Sequence, residues 1–153
     1  MELARRTIEL AAPHGDAFKT KMTLGLPFYG RHMRTGEWKS YEDIVSKMDV
    51  KSPDQDEVEG FYFNGPTTIR NKVKLAQSSG LAGVMIWETG QDCRVNAVTW
   101  GAYHSKILPI HIIHTHTHTG DTTHGVTCPN GASSSLLRAI RDTVSNTNEK
   151  SDL

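Results

Sequence analysis

The sequence predicts an α/β fold with a parallel sheet, and three segments carry this prediction. Two apolar runs, residues 22–28 (MTLGLPF) and 81–87 (LAGVMIW), have the length and continuous apolar character of buried strands. Between them, residues 67–78 place apolar side chains at helical spacing after Pro66, and Gly80 provides a stop. Near-continuously apolar strands joined through a helix are typical of βαβ units, in which both faces of the sheet are covered.

The remaining predicted elements decorate this unit. Residues 3–12 carry apolar side chains on one face and predict a helix. Residues 35–48 begin with a turn and continue as a helix, for which Ser40 is the predicted N-cap. A short strand is predicted at 61–63, before a turn. An amphipathic helix is predicted over 133–145, with its cap near Ser133, and we expect it to cover the sheet after the second strand.

The composition excludes some classes of partner. The 153 residues include 17 basic and 17 acidic side chains, so no net charge points to a nucleic acid or an anionic membrane. The sequence contains no run of about 18 apolar residues, so it predicts no membrane span. The N-terminal residues lack the apolar core of a signal peptide, so either the chain is intracellular or its true beginning is missing. Cys93 and Cys128 form one disulfide in an oxidising compartment or remain two free thiols, and the sequence leaves both open.

Residues 107–119 (ILPIHIIHTHTHT) contain the one low-complexity segment of the chain. His114, His116 and His118 alternate with threonine, so an extended strand would place three imidazoles on one face, where they could chelate zinc or nickel. The alternative is incidental, because a CACACA repeat in DNA is translated as His-Thr-His-Thr. We favour the incidental origin, over roughly residues 101–119, and predict no metal site.

The predicted strands end in residues that suit a binding site. Side chains alternate across a strand, so Met85 and Trp87 share one face, and Gly25 and Tyr29 share the corresponding face of the first strand. Ligands of barrels and open α/β sheets bind at the carboxyl ends of strands. Trp87 and Tyr29 are therefore predicted to face a ligand. Glu88 falls on the opposite face and is predicted to have a structural role.

Residues 21–31 (KMTLGLPFYGR) and 80–92 (GLAGVMIWETGQD) resemble the seventh and eighth barrel strands of the glycoside hydrolase family 18 chitinases. Residues 38–44 (WKSYEDI) and 61–66 (FYFNGP) are similar to the stretch that links those strands. The resemblance covers about residues 3–100. It implies a partial TIM (β/α)8 barrel that comprises about the last two βα units.

The resemblance also implies a ligand and its binding residues. The ligand would be chitin or an N-acetylglucosamine oligosaccharide, hydrolysed in the intact parent with retention, the substrate's acetamido carbonyl acting as nucleophile. Trp87 would be the hydrophobic floor beneath the sugar, because a sugar's C–H face packs on an aromatic plane. Tyr29 and Arg31, which match the Tyr-Gly-Arg of the family, would line the same cleft. No cofactor is expected. Most chitinases are secreted, so we expect the intact parent protein to be extracellular.

The general acid of the family is missing from the sequence. In the family, that glutamate ends an Asp-x-x-Asp-x-Asp-x-Glu pattern at the end of the fourth strand. The acidic segment 49–60 (DVKSPDQDEVEG) does not have the spacing of this pattern. Segments resembling the first six strands are also absent, whereas a closed barrel needs about 250 residues. We therefore expect the C-terminal quarter to third of a chitinase-like barrel, with no hydrolysis by this chain alone. The alternatives are a chitin-binding, lectin-like module and a non-functional truncated remnant.

This interpretation divides the chain into three parts. Residues 1–100 are the predicted barrel portion, residues 101–123 are a low-complexity His/Thr insert expected to be disordered, and residues 124–153 are a terminal helix and tail. Gln91 and Asp92, which follow the second strand, are predicted to cap the turn or helix that comes next.

Overall fold

The computed structural model of the chain describes residues 1–95 and 125–148, which form a mixed α/β structure. The helices of these residues are α1 (Glu2–Ala11), α2 (Asp16–Lys19), α3 (Tyr41–Lys47), α4 (Pro66–Ser78) and α5 (Leu136–Asn148). The strands are β1 (Thr23–Pro27), β2 (Tyr29–His32), β3 (Trp38–Ser40), β4 (Glu57–Val58), β5 (Phe61–Tyr62) and β6 (Gly83–Trp87). Within the described ranges, no helix is long and apolar enough to cross a bilayer.

The two predicted apolar strands pair in parallel, as expected. Strands β1 and β6 form a two-stranded sheet in which Leu26 stands opposite Ile86 and Pro27 opposite Trp87. Each strand is shorter than its apolar run. Pro27 is the last residue of β1 and has no N–H to donate to the ladder. The next amide, that of Phe28, donates to the carbonyl of Trp87 at 2.8 Å and closes the pair.

A four-stranded antiparallel sheet in the order β3-β2-β5-β4 interrupts the connection between the parallel strands. Of its strands, the sequence predicted only the one near residues 61–63. The hairpin from β2 to β3 closes through His32, whose amide donates to the carbonyl of Glu37 at 2.8 Å and whose carbonyl accepts from Gly36 at 2.9 Å. Gly36 has a φ of 72°, which glycine adopts without steric cost.

Helix α4 connects the parallel sheet to the terminal helix α5. It lies against both parallel strands and against α5, so the helix that links β1 to β6 also carries the terminal helix. Burial follows the predicted apolar stripe, which holds Ile69, Val73 and Ala76 at 2% exposure or less. From the other elements, the same core cluster includes Leu26, Phe28, Ile44, Val84, Ile86, Leu136, Ala139 and Ile140.

Of the two predicted helix starts that rest on a serine cap, the one of α3 is correct and the one of α5 is not. Ser40 is the N-cap of α3, and its Oγ accepts from the amide of Asp43 at 3.0 Å, as predicted. Helix α5 begins at Leu136, three residues later than predicted, because residues Gly131–Ser134 form a 3₁₀ turn. The orphan amides at its start are satisfied by the distant side chain of Asp92, which a search for local caps cannot find.

Candidate functional site

An open cleft of about 310 Å³ lies at the carboxyl ends of β1 and β6. Trp87 is the largest side chain in its lining and is 50% exposed. A half-exposed tryptophan at the end of a sheet leaves an aromatic face available to a ligand. The residues that line the cleft are Gly25, Leu26, Pro27, Tyr29, Met85 and Trp87.

The alternation along β6 separates the cleft from the core, as the sequence predicted. Val84 and Ile86 are buried, whereas Met85 is partly exposed and Trp87 is exposed. Across the ladder, Met85 stands opposite Gly25, and a Cβ at that glycine would lie 3.9 Å from Met85 Cε. The absence of a side chain at Gly25 therefore keeps this part of the cleft open.

Of the three predicted binding residues, the structure brings two together in the cleft. Tyr29 lines it beside Trp87, although Tyr29 begins the separate strand β2 and does not end β1. Arg31 lies two residues farther along β2, is exposed, and is outside the cleft lining. No salt bridge within residues 1–95 and 125–148 engages its guanidinium.

The acidic residues that follow Trp87 make structural contacts. The peptide bond between Trp87 and Glu88 is cis, and Glu88 Oε1 accepts from Gln91 Nε2 at 3.0 Å. Asp92 is 7% exposed and accepts from the amides of Leu136 and Leu137. Burial raises the pKa of Asp92, while the hydrogen bonds from the start of α5 oppose that rise. Asp92 is thus the cap of α5, and it does not line the cleft.

The structure also decides between the two states that the sequence left open for the cysteines. Cys93 and Cys128 are joined by a disulfide, and both are buried. His114, His116 and His118 lie outside the described residues. Within the described ranges, no group of three or more histidine, cysteine, aspartate or glutamate side chains could hold a metal ion.

Sequence reasoning missed two exposed aromatic residues beside Arg31. Trp38 on β3 is 59% exposed and Tyr62 on β5 is 55% exposed. Both stand opposite Arg31 in the antiparallel sheet. The Thr35-Gly36 turn between YGRH and EWKS was the available signal, because a hairpin there places Trp38 beside Arg31.

Gly30 lies on β2 between Tyr29 and Arg31, where the backbone packs closely against α3 and β5. We therefore expect Gly30→Ala to be destabilising. The added Cβ would lie 2.5 Å from Ile44 Cδ1 and 3.0 Å from the carbonyl oxygen of Tyr62. Overpacking of this kind costs about 1–3 kcal/mol, measurable by urea unfolding. Ile44→Val removes the nearest methyl, so the double variant should lose less stability than the sum of the two single variants. Strictly additive losses would contradict this account.

Comparison with known proteins identifies the family of the chain. The model of the family "Glycosyl hydrolases family 18" matches residues 5–92. Among solved structures, the chain is similar to the GH18 chitinase ChiB from the chitin utilization locus of Flavobacterium johnsoniae, with 34% identity and a TM-score of 0.51. This match covers 60% of the present chain and 29% of the chitinase chain. A chitinase from Bacteroides thetaiotaomicron is 33% identical, with a TM-score of 0.45, over 50% of this chain and 27% of that one.

A search of curated proteins found no match. The present chain spans less than a third of the length of the solved chitinases. The family match nevertheless covers more than half of the present chain, including both parallel strands and the antiparallel sheet between them. The chain therefore belongs to glycosyl hydrolases family 18.

Proposed function

We propose that the cleft binds the N-acetylglucosamine units of chitin, with Trp87 as its floor. The observation that carries the proposal is the half-exposed indole at the end of β6, beside Tyr29 in an open cleft. A pyranose ring presents an apolar C–H face that packs on an aromatic plane, and hydroxyl groups that need polar partners. The phenol of Tyr29 supplies such a partner in the cleft, and the guanidinium of Arg31 supplies one two residues away.

We propose further that the chain corresponds to the last two βα units of a family 18 barrel. The chain covers 29% of the Flavobacterium chitinase that it resembles, which supports a partial barrel. Within the described residues, β1 and β6 pair only with each other, so each has an outer edge where a further barrel strand could pair. The disulfide between Cys93 and Cys128 is compatible with an extracellular parent, because such bonds persist in oxidising compartments.

In this proposal the chain binds sugar and does not cleave it. The Asp-x-x-Asp-x-Asp-x-Glu pattern that supplies the proton in the family does not occur in the 153 residues. Glu88 is engaged by Gln91, and Asp92 is engaged by α5. A parent that contains the acid would hydrolyse chitin with retention, the acetamido carbonyl acting as nucleophile. Without it, the binding cleft gives a lectin-like module.

The test is calorimetric titration of the pure 153-residue chain with the disaccharide of N-acetylglucosamine. Loss of an aromatic anchor that the ligand covers costs about 2 kcal/mol, so Trp87→Ala should weaken binding about 30-fold. Leu10→Ala removes an exposed apolar side chain on α1 and serves as the matched control, with unchanged affinity expected. A fluorogenic chitobioside should release no fluorophore. Absence of saturable binding would refute the proposed binding, and turnover by the pure chain would refute the lack of hydrolysis.

A further inference from the structure

The sequence contains the dipeptide Asn-Gly twice, and the fold places the two copies in different environments. Asn64-Gly65 lies between β5 and α4, and Asn130-Gly131 lies between Cys128 and α5. In such a dipeptide the backbone nitrogen of glycine can attack the side-chain amide of asparagine, because glycine has no side chain that would shield its own nitrogen. Both copies share this local chemistry, so a difference in their reactivity comes from the fold.

The fold holds Asn64-Gly65 in place. Gly65 is buried, and its amide donates to Asp56 Oδ1 at 2.7 Å, which is a short bond to a carboxylate. The carbonyl oxygen of Gln55 lies 2.6 Å from the position that a Cβ on Gly65 would occupy, so the backbone has no space to move in this direction. The carbonyl of Gly65 also accepts from the amide of Ile69 in the first turn of α4. An attack on Asn64 would therefore require the start of this helix to open.

The second copy, Asn130-Gly131, is held more weakly. Asn130 is exposed, and the amide of Gly131 donates to the carbonyl of Cys128 at 3.2 Å, longer than the usual distance of about 2.9–3.0 Å. Nothing lies within 4 Å of the position that a Cβ on Gly131 would occupy. Gly131 has a φ of 58°, so the turn itself favours glycine here. The same turn leaves room for the nitrogen of Gly131 to reach the side chain of Asn130.

We propose that Asn130 is a site of spontaneous deamidation, from which the fold protects Asn64. The nitrogen of Gly131 bonds to Asn130 Cγ, the bond from Cγ to Nδ2 breaks, and Nδ2 leaves as ammonia with the proton that the nitrogen of Gly131 gives up. The product is a cyclic imide. Water adds to one of the two imide carbonyl carbons, the C–N bond at that carbon breaks, and the nitrogen of Gly131 regains a proton. Opening at Cγ gives aspartate, and opening at the backbone carbonyl gives isoaspartate.

The reaction changes the turn that leads into α5. Both products carry a carboxylate where the unmodified chain has a neutral amide. In isoaspartate the main chain runs through Cβ and Cγ, so the turn gains a further backbone atom. The backbone carbonyl of Asn130, which accepts from Ser133 Oγ at 2.7 Å, then becomes part of the free carboxylate. Deamidation therefore alters both the charge and the path of the chain at this turn.

The test incubates the pure 153-residue chain at physiological temperature and pH and follows both sites by mass spectrometry of tryptic peptides after reduction. Residues 107–138 and 52–70 form separate peptides with a single asparagine each, so fragmentation assigns the exchange of NH₂ for OH to one site. Asn130 should convert about tenfold faster than Asn64, because a difference of about 1.4 kcal/mol in local opening suffices for this ratio. In guanidinium, where the fold is lost, the two sites should convert at similar rates.

Two variants separate the contributions. Asn130→Gln should show no conversion of peptide 107–138 over the same period, because glutamine would have to form a larger ring. Asp56→Ala removes the acceptor of the Gly65 amide, so it should accelerate conversion at Asn64 and leave Asn130 unchanged, with thermal melting to confirm that this variant is folded.

The wild-type chain alone is sufficient to refute the inference. Equal rates at the two sites in the folded protein, or faster conversion at Asn64, would overturn it. A rate difference that persisted in guanidinium would also overturn it, because the difference would then arise from the neighbouring residues and not from the fold. An unchanged rate at Asn64 in folded Asp56→Ala would refute the protective role assigned to Asp56.

Discussion

Replacing Asp92 with alanine is expected to lower the free energy of unfolding by about 3–5 kcal/mol. Asp92 Oδ1 accepts from the amides of Cys93 at 2.9 Å and Leu136 at 3.0 Å. Its Oδ2 accepts from Ser135 Oγ at 2.8 Å and from the amide of Leu137 at 2.9 Å. Alanine removes the acceptor of all four donors in a buried site, and each donor that finds no other partner costs about 1–3 kcal/mol.

The change should appear as a lower urea midpoint in equilibrium unfolding followed by circular dichroism. Asp142→Ala is the control. Asp142 is also an aspartate associated with α5, but it lies on the helix itself, is exposed and pairs with Arg141. Surface changes of this kind usually remain within about 0.5 kcal/mol. Equal midpoints for the two variants would show that Asp92 does not hold α5. A cooperative transition in the wild-type chain would also exclude the non-folding remnant.

The parallel pair and its helix could be predicted because local chemistry specifies them. The runs at β1 and β6 are apolar throughout, α4 has an apolar stripe at helical spacing, and Ser40 precedes α3 as a hydrogen-bonding N-cap. The alternation that separates Trp87 from Ile86 is likewise a property of any strand, so the residues facing the cleft follow once β6 is identified.

The antiparallel sheet could not be predicted in the same way. Its strands are two to four residues long, which is too short for an alternating pattern to stand out. Its register depends on the hairpin closed at Gly36, and that register decides which side chains stand beside Arg31. The family resemblance therefore implied that Arg31 lines the same cleft as Tyr29, but no pattern in the sequence located Arg31 on β2 beside Trp38 and Tyr62.

The start of α5 was misplaced for a different reason. Asp92 lies 44 residues before Leu136, and the sequence offered Ser133 as a nearer cap. A carboxylate that follows β6 can satisfy the helix only after α5 has packed on α4, so the cap is a consequence of tertiary structure. Asp92 does cap a helix, but that helix lies far along the chain and does not directly follow β6, and Gln91 instead donates to Glu88.

Reduction of the disulfide between Cys93 and Cys128 is expected to cost about 2–4 kcal/mol of stability. The bond joins residues 35 positions apart, and a cross-link of that span removes conformational freedom from the unfolded chain. Guanidinium unfolding with and without a thiol reductant measures the difference in midpoint. The double variant Cys93→Ala/Cys128→Ala is the control, because its midpoint should be low and insensitive to the reductant.

The contribution of the disulfide to stability is expected to depend on Asp92, because both hold the same helix. Cys93 is adjacent to Asp92, and Cys128 precedes the turn that leads into α5, so the disulfide and the carboxylate fix the same helix to the end of β6. With either one intact, we expect α5 to remain docked through Leu136 and Ile140, which are nearly inaccessible to solvent. With both removed, trypsin should cleave rapidly at Arg138 and Arg141, and the combined loss of stability should differ from the sum of the separate losses. Simple additivity, with α5 still resistant to trypsin, would mean that packing against α4 alone holds the helix.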